Sequence, residues 1–160
     1  MRAPEARWLN TWKRLRDTLS GKGKHYGELD LPLVIAVNST TFHLDNIDVM
    51  QALFGQEEYI VDLDDREEEP IMRRRRNGLW LGPAGKQYRR ISAVLIGYDV
   101  KPWTFGVRSL TLYKNPWASR SVQGALDAFP LYKLQDNKME LLAGMKLQSV
   151  LDLPRYYPGM

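Results

Sequence analysis

Acids and arginines crowd a single stretch of this chain. Asp62, Asp64, Asp65, Glu67, Glu68 and Glu69 are followed within a few residues by Arg73, Arg74, Arg75 and Arg76. Carboxylates spaced in this way after a short strand are the oxygen ligands that a hard cation such as magnesium selects. The competing reading is a solvated loop in which the acids and the arginines neutralise one another. Burying any of them unpaired costs on the order of several kcal/mol. The central glycine and terminal glutamate of a calcium loop are missing, so the loop reading prevails and no metal is assigned. Loops held on a rigid scaffold are also where binding residues concentrate.

Other candidates carry weaker chemistry. Asp136-Asn137-Lys138 has the acid-x-lysine ending of a metal-dependent nuclease, in which carboxylates hold the metal and lysine lies near the attacking water. No Pro-Asp pair stands upstream, and Asp-Asn at that place is turn chemistry. His25 and His43 are the two histidines, and no Gly-x-Ser-x-Gly elbow accompanies them. Gly21-Lys22-Gly23-Lys24 reads as a basic turn and lacks the spacing of a phosphate cradle. Asn38 closes an apolar strand, at the end where open α/β sheets bind ligands, or else caps the turn that follows. In Asn115-Pro116-Trp117-Ala118 the asparagine can bond to its own backbone and the indole can cover a core edge. Trp80, Trp103 and Trp117 have faces suited to stacking bases, with core packing the plainer role. With no cysteine in the chain, disulfides, thiolate nucleophiles and cysteine-bound zinc are excluded.

These residues have to be positioned by one domain, since 160 residues suit a single core that buries roughly 70% of the unfolded surface. No apolar run approaches the ~20 residues of a membrane span, and no signal-peptide core follows Met1. No membrane partner and a cytoplasmic location are therefore expected. The net charge of +4 is unevenly placed. Residues 1–27 carry Arg2, Arg7, Lys13, Arg14, Arg16, Lys22 and Lys24 against Glu5 and Asp17, whereas the remainder of the chain is slightly acidic. Such a cationic face attracts polyanions through a salt-sensitive field.

The periodicities place the elements. Trp8, Trp12, Leu15 and Leu19 form one helical stripe, with Pro4 in the first turn and Ser20-Gly21 as the stop. The apolar run Leu33 to Val37 predicts a strand buried on both faces. Asp45 caps a helix over Asn46 to Phe54, with Asp48 in its first turn and Gly55 after it. Tyr59 to Val61 is a short strand. Gly82-Pro83-Ala84-Gly85 predicts a hairpin with arms Leu79–Leu81 and Tyr88–Tyr98, of which Ile91 to Ile96 is the strongest strand segment. Ser109 to Tyr113 alternates as a strand with one buried face, and a last helix is expected over Lys138 to Leu151. This is one mixed α/β domain over 1–160, a central sheet flanked by N- and C-terminal helices. A basic amphipathic helix and turn occupy 1–30 and a charged loop 62–78.

Several strings also resemble a known family. His25-Tyr26-Gly27-Glu28-Leu29-Asp30-Leu31-Pro32, running on through Leu33 to Asn38, is followed by Ala52-Leu53-Phe54-Gly55. Gly78-Leu79-Trp80-Leu81-Gly82-Pro83, Ser92-Ala93-Val94-Leu95 and Asn115-Pro116-Trp117-Ala118 come after. In this order they resemble the C-terminal half of a family of uncharacterised bacterial proteins, whose longer members look distantly like restriction-endonuclease-type (PD-(D/E)XK) nucleases. The resemblance covers roughly residues 10–155. It implies a partial restriction-endonuclease-like fold and a fragment or truncated relative of a longer protein. The catalytic carboxylates and lysine would precede this segment, so no catalytic residue is carried over.

The combined expectation is a non-catalytic module with weak nucleic-acid contact and no cofactor. Arg7, Lys13, Arg14, Arg16 and Arg73–Arg76 would meet phosphates. A second reading is an interaction domain that docks Trp8 and Trp12 onto a missing N-terminal domain or a second copy. The third is a small metal-dependent hydrolase using the acidic loop.

Overall fold

The computed structural model describes residues 10–27, 29–40, 44–61, 69–135 and 138–154. Arg7 and Trp8, His43, the acids from Asp62 to Glu68, and the Asp136-Asn137 pair lie outside the described residues. The chain forms a mixed α/β domain around a five-stranded mixed sheet.

The first helix, α1, spans Thr11–His25 and passes straight through Ser20-Gly21. The expected stop fails because the helix needs its last turn for packing. Gly23 is buried there, and a Cβ at this position would lie 2.6 Å from Ile91 Cδ1. Leu15 and Leu19 of the stripe enter the core, and Trp12 packs against it half-buried.

Strand β1 (Leu33–Ser39) leads to helix α2 (Asn46–Phe54), capped as expected: Asp45 accepts from the Asp48 backbone N–H at 2.8 Å. Gly55 ends α2 at φ +94°, where a Cβ would sit 2.0 Å from the Arg75 carbonyl oxygen. Strands β2 (Glu57–Ile60) and β3 (Ile71–Arg74) pair antiparallel, so the charged segment expected as loop over 62–78 contains a strand.

The next segment corrects the hairpin expectation. Leu79 and Trp80 donate their backbone N–H groups to the carbonyls of Ala52 and Leu53, at 2.7 and 2.8 Å. They thereby satisfy the last turn of α2, whose carbonyls have no partner within the helix. The turn at Pro83-Ala84 joins only β4 (Leu81–Gly82) to β5 (Gly85–Lys86). The strong strand β6 (Ile91–Tyr98) pairs elsewhere, parallel to β1 and antiparallel to β7 (Leu110–Lys114). Strand β8 (Leu131–Gln135) runs parallel to β7, and β9 (Lys138–Leu142) antiparallel to β8. The order across the sheet is β1-β6-β7-β8-β9.

The strand buried on both faces is therefore β6, in the interior of the sheet, and β1 lies at its edge with Ala36 exposed. Ile91, Val94 and Ile96 face α1 and α2, together with Phe54, Trp80 and Tyr113. Ala93 faces a second core with Leu112, Val122, Phe129 and Leu147. Leu112 and Tyr113 are both buried, so β7 also lacks the single buried face expected of it. Strand β9 takes the first five residues of the expected last helix, and only the single turn α3 (Leu147–Val150) is helical. Lys138–Leu142 pairs with β8 instead, and past it Gly144 runs close to the chain: a Cβ there would lie 2.2 Å from the Pro130 nitrogen, and Met145 N–H donates to Ala128 O at 2.7 Å. The chain is held in close passage across Phe129-Pro130, where a helix cannot run.

Candidate functional site

The carboxyl ends of the parallel pair β1 and β6 are the first place to look in an open α/β sheet. Here they are committed to structure. Asn38 Nδ2 donates to Val100 O at 2.7 Å, and Val100 N–H donates to Asn38 Oδ1 at 3.0 Å. Nearby, the hydroxyls of Tyr98 and Tyr113 both donate to Asn46 Oδ1, at 3.1 and 3.0 Å, and Asn46 Nδ2 donates to the Tyr132 hydroxyl at 3.3 Å. Tyr113 and Tyr132 stack with ring centroids 5.0 Å apart. Burial is the main cause that pushes Tyr98 up to about 12 and raises Tyr113 as well. Neutral phenols clamped on an amide fasten the start of α2 to the sheet.

The opposite end, where β1 and β6 begin, is different. Three clefts join there. One is lined by Arg16, Asp17, Ser20, Asn77 and Tyr88 among others. It shares Gln87 and Tyr88 with a wide, open cleft lined by Lys24, Lys86, Arg89 and Arg90. That one shares Arg90 and Ser119 with a more enclosed cleft between Arg90 and Arg120, lined by Leu29, Leu31 and Leu33. Among the described residues the result is one groove lined by six cations and one acid, Asp17, which is itself bonded to Arg16 at 2.9 Å. Among the described residues Lys24, Lys86, Arg89 and Arg90 have no carboxylate partner.

Local structure builds this groove. Tyr88 adopts φ +47°, a conformation unusual for a bulky residue. It is held by Ile91 N–H, which donates to its carbonyl at 2.9 Å, and by a hydrogen bond between its hydroxyl and that of Ser20 on α1. This kink turns the chain so that Lys86, Arg89 and Arg90 are presented together before β6 begins. Arg89 Nε donates to Trp117 O at 3.1 Å, and Ser119 N–H donates to Arg89 O at 2.7 Å. Asn115 fastens the same corner: its Nδ2 donates to Ile91 O at 2.9 Å and its Oδ1 accepts from Trp117 N–H at 3.0 Å. Lys86 Nζ lies 5.9 Å from the centre of the Trp117 ring.

Of the cations singled out in the sequence, Arg16 lines this groove, with its NH1 donating to Asn77 O at 2.9 Å. Lys13 and Arg14 are exposed on α1 and line none of the three clefts. The arginine run is largely spoken for. Arg73 and Arg75 both bind Glu58, whose carboxylate they hold below its usual range. Arg74 is buried, bonding to Glu57 and to Gly55 O. Arg76 is exposed and lies outside the clefts. Trp12 packs on the core with the Arg16 guanidinium 5.3 Å from its ring centre, so this half of the expected docking stripe already has a partner. Trp80 is core, edge-on to Phe54 at 5.0 Å, whereas Trp103 is exposed. No group of three His, Asp or Glu side chains that could hold a metal ion occurs among the described residues.

The sequence reading missed Lys86, Arg89, Arg90 and Arg120. They are scattered in sequence, and the one signal was Gly85-Lys86-Gln87-Tyr88-Arg89-Arg90, a basic hexapeptide directly before the strongest strand. No family model, no curated protein and no solved structure matches this chain.

Proposed function

We propose that this chain is a non-catalytic α/β module that contacts nucleic acid through its phosphates, without reading sequence, along the groove from Arg16 to Arg120. One observation carries the reading: Lys24, Lys86, Arg89 and Arg90 share an open groove and, among the described residues, none has a carboxylate partner. Like charges concentrated in this way repel one another and raise the free energy of the fold. A polyanion laid along the groove relieves that repulsion, and the released counterions favour binding. Guanidinium and ammonium groups with a few hydroxyls contact phosphate oxygens and set position, which conveys no sequence preference.

The test is fluorescence anisotropy of labelled 20-nucleotide oligomers titrated at several salt concentrations. Engaging about five phosphates predicts that log affinity falls with log salt at a slope of about −3 to −4 for a single strand. The variant Lys24→Ala/Lys86→Ala/Arg90→Ala, all exposed positions, is expected to lose at least tenfold in affinity, equally for all sequences. Arg73→Ala/Arg75→Ala is expected to lose far less, since Glu58 holds both side chains. Affinity indifferent to salt, or no binding at low salt, would refute the reading.

A further inference from the structure

The groove is not uniformly polar, and its apolar end narrows the class of nucleic acid it suits. Between Arg90 and Arg120 the cleft is lined by Leu29, Leu31 and Leu33, with the Ser119 side at its rim. Leu31 is 75% exposed and Leu29 41% exposed, immediately beside cations that attract a phosphate chain. The Arg120–Asp30 pair, at 3.4 Å, lies at the surface with Asp30 fully exposed, a pairing that water weakens and a ligand can displace.

We infer that the ligand of this groove is single-stranded nucleic acid, with one unpaired base laid against the exposed Leu29 and Leu31 side chains between Arg90 and Arg120. The inference rests on the phosphate-contact reading and goes beyond it. A duplex offers a shallow surface phosphates and sugars while its bases stay stacked inside. It could use Lys24, Lys86 and Arg89 but would leave the leucines wet. An unpaired strand alternates charge with flat apolar faces, which is the alternation found here: cations along the open part and leucines in the more enclosed part. Guanidinium planes can stack on bases as well as pair with phosphates, so Arg90 and Arg120 serve at the junction of the two environments.

The experiment compares four probes on the full chain at one low salt concentration. These are a 20-nucleotide single strand, the same sequence as a blunt duplex, the single strand with abasic sites throughout, and inorganic polyphosphate. The single strand is expected to bind at least tenfold more tightly than the duplex, and abasic substitution is expected to cost roughly tenfold. Leu31→Ser, at a position exposed enough to leave folding intact, is expected to weaken the single strand several-fold and leave polyphosphate binding unchanged. Equal or tighter binding of the duplex, or undiminished binding of the abasic strand, would overturn the base cleft and leave the phosphate reading standing. Failure of all four probes to bind would refute both.

Discussion

Asp48 sits where two helices begin. Burial first and the neighbouring Asp45 charge second raise the pKa of its carboxyl above the ordinary 3.8. The sign of the linkage follows. A carboxyl raised in the folded state contributes stability that is complete below its unfolded pKa and is lost as pH rises through its folded value. Asp48→Asn keeps the side chain's size and an acceptor oxygen and removes the charge. It is therefore expected to be modestly more stable than the parent at pH 7, with the difference vanishing near pH 3; urea titrations at the two pH values check this. The tyrosines show the alkaline counterpart. Tyr98 and Tyr113 ionise later in the folded chain than at the ordinary 10.0, so their stability is complete below that value and falls as pH rises above it. An alkaline loss of stability that shrinks in Tyr113→Phe is the expected outcome, read by denaturant midpoints above pH 10.

Among the elements, α1 depends on a missing side chain. Gly23→Ala gains about 1 kcal/mol of helix propensity but drives a Cβ toward Ile91 Cδ1. The expected net loss is about 1–2 kcal/mol, partly recovered by Ile91→Val in the same chain and measured by chemical denaturation. The same glycine marks where sequence reasoning stopped. Helix α2 was legible to the residue because its signals are local: Asp45 caps its own helix and Gly55 adopts the φ a stop requires. Strands β1, β6 and β7 were legible too, from runs such as Ile91 to Ile96, whereas β3, β8 and β9 were not. Edge and centre were not, because β1 and β6 are both apolar and only pairing shows which has neighbours on two sides. The last helix gave way to a ladder with β8 and a close passage of Gly144 by Pro130, tertiary facts with no local signature. The groove was hidden for a related reason: its cations come from α1, from β5 and the β5–β6 connection, and from the segment after β7. The compact run Arg73–Arg76, by contrast, drew attention while its charge is answered by Glu57 and Glu58.

Across the whole molecule, the two ends of the parallel strand pair have opposite characters. Where β1 and β6 finish, asparagines and tyrosines close on one another with satisfied hydrogen bonds. Where they start, Lys24, Lys86, Arg89 and Arg90 gather around a kinked Tyr88 without a carboxylate partner among the described residues. The fold thus spends its polar groups on rigidity at one end and leaves the other end charged and open. The helices lie between, covering one face of the sheet and setting the wall of the groove through Ser20 and Lys24.

The β1–β6 pairing has a kinetic consequence. Leu33 must find Ile91 across α2 and two small hairpins, and Ser39 must find Tyr98. Closing so long a loop costs chain entropy before any contact rewards it, which slows folding in proportion to the sequence distance of the contacts. Helix α2 and the β4–β5 hairpin close locally and can form in microseconds, whereas β1 has nothing to join until β6 is ready. The expected refolding is accordingly a slow main phase in the millisecond-to-second range, followed by tryptophan fluorescence in stopped flow with Trp80 as the buried reporter. Val34→Ala, a change inside the β1–β6 ladder, should mainly accelerate unfolding if the strand docks after the rate-limiting step; a matching slowing of refolding would place it in the nucleus. Until that docking, the neutral apolar strand Leu33–Val37 is exposed, so the interval before it closes is when this chain is most prone to aggregate, and yield on refolding should fall steeply with protein concentration.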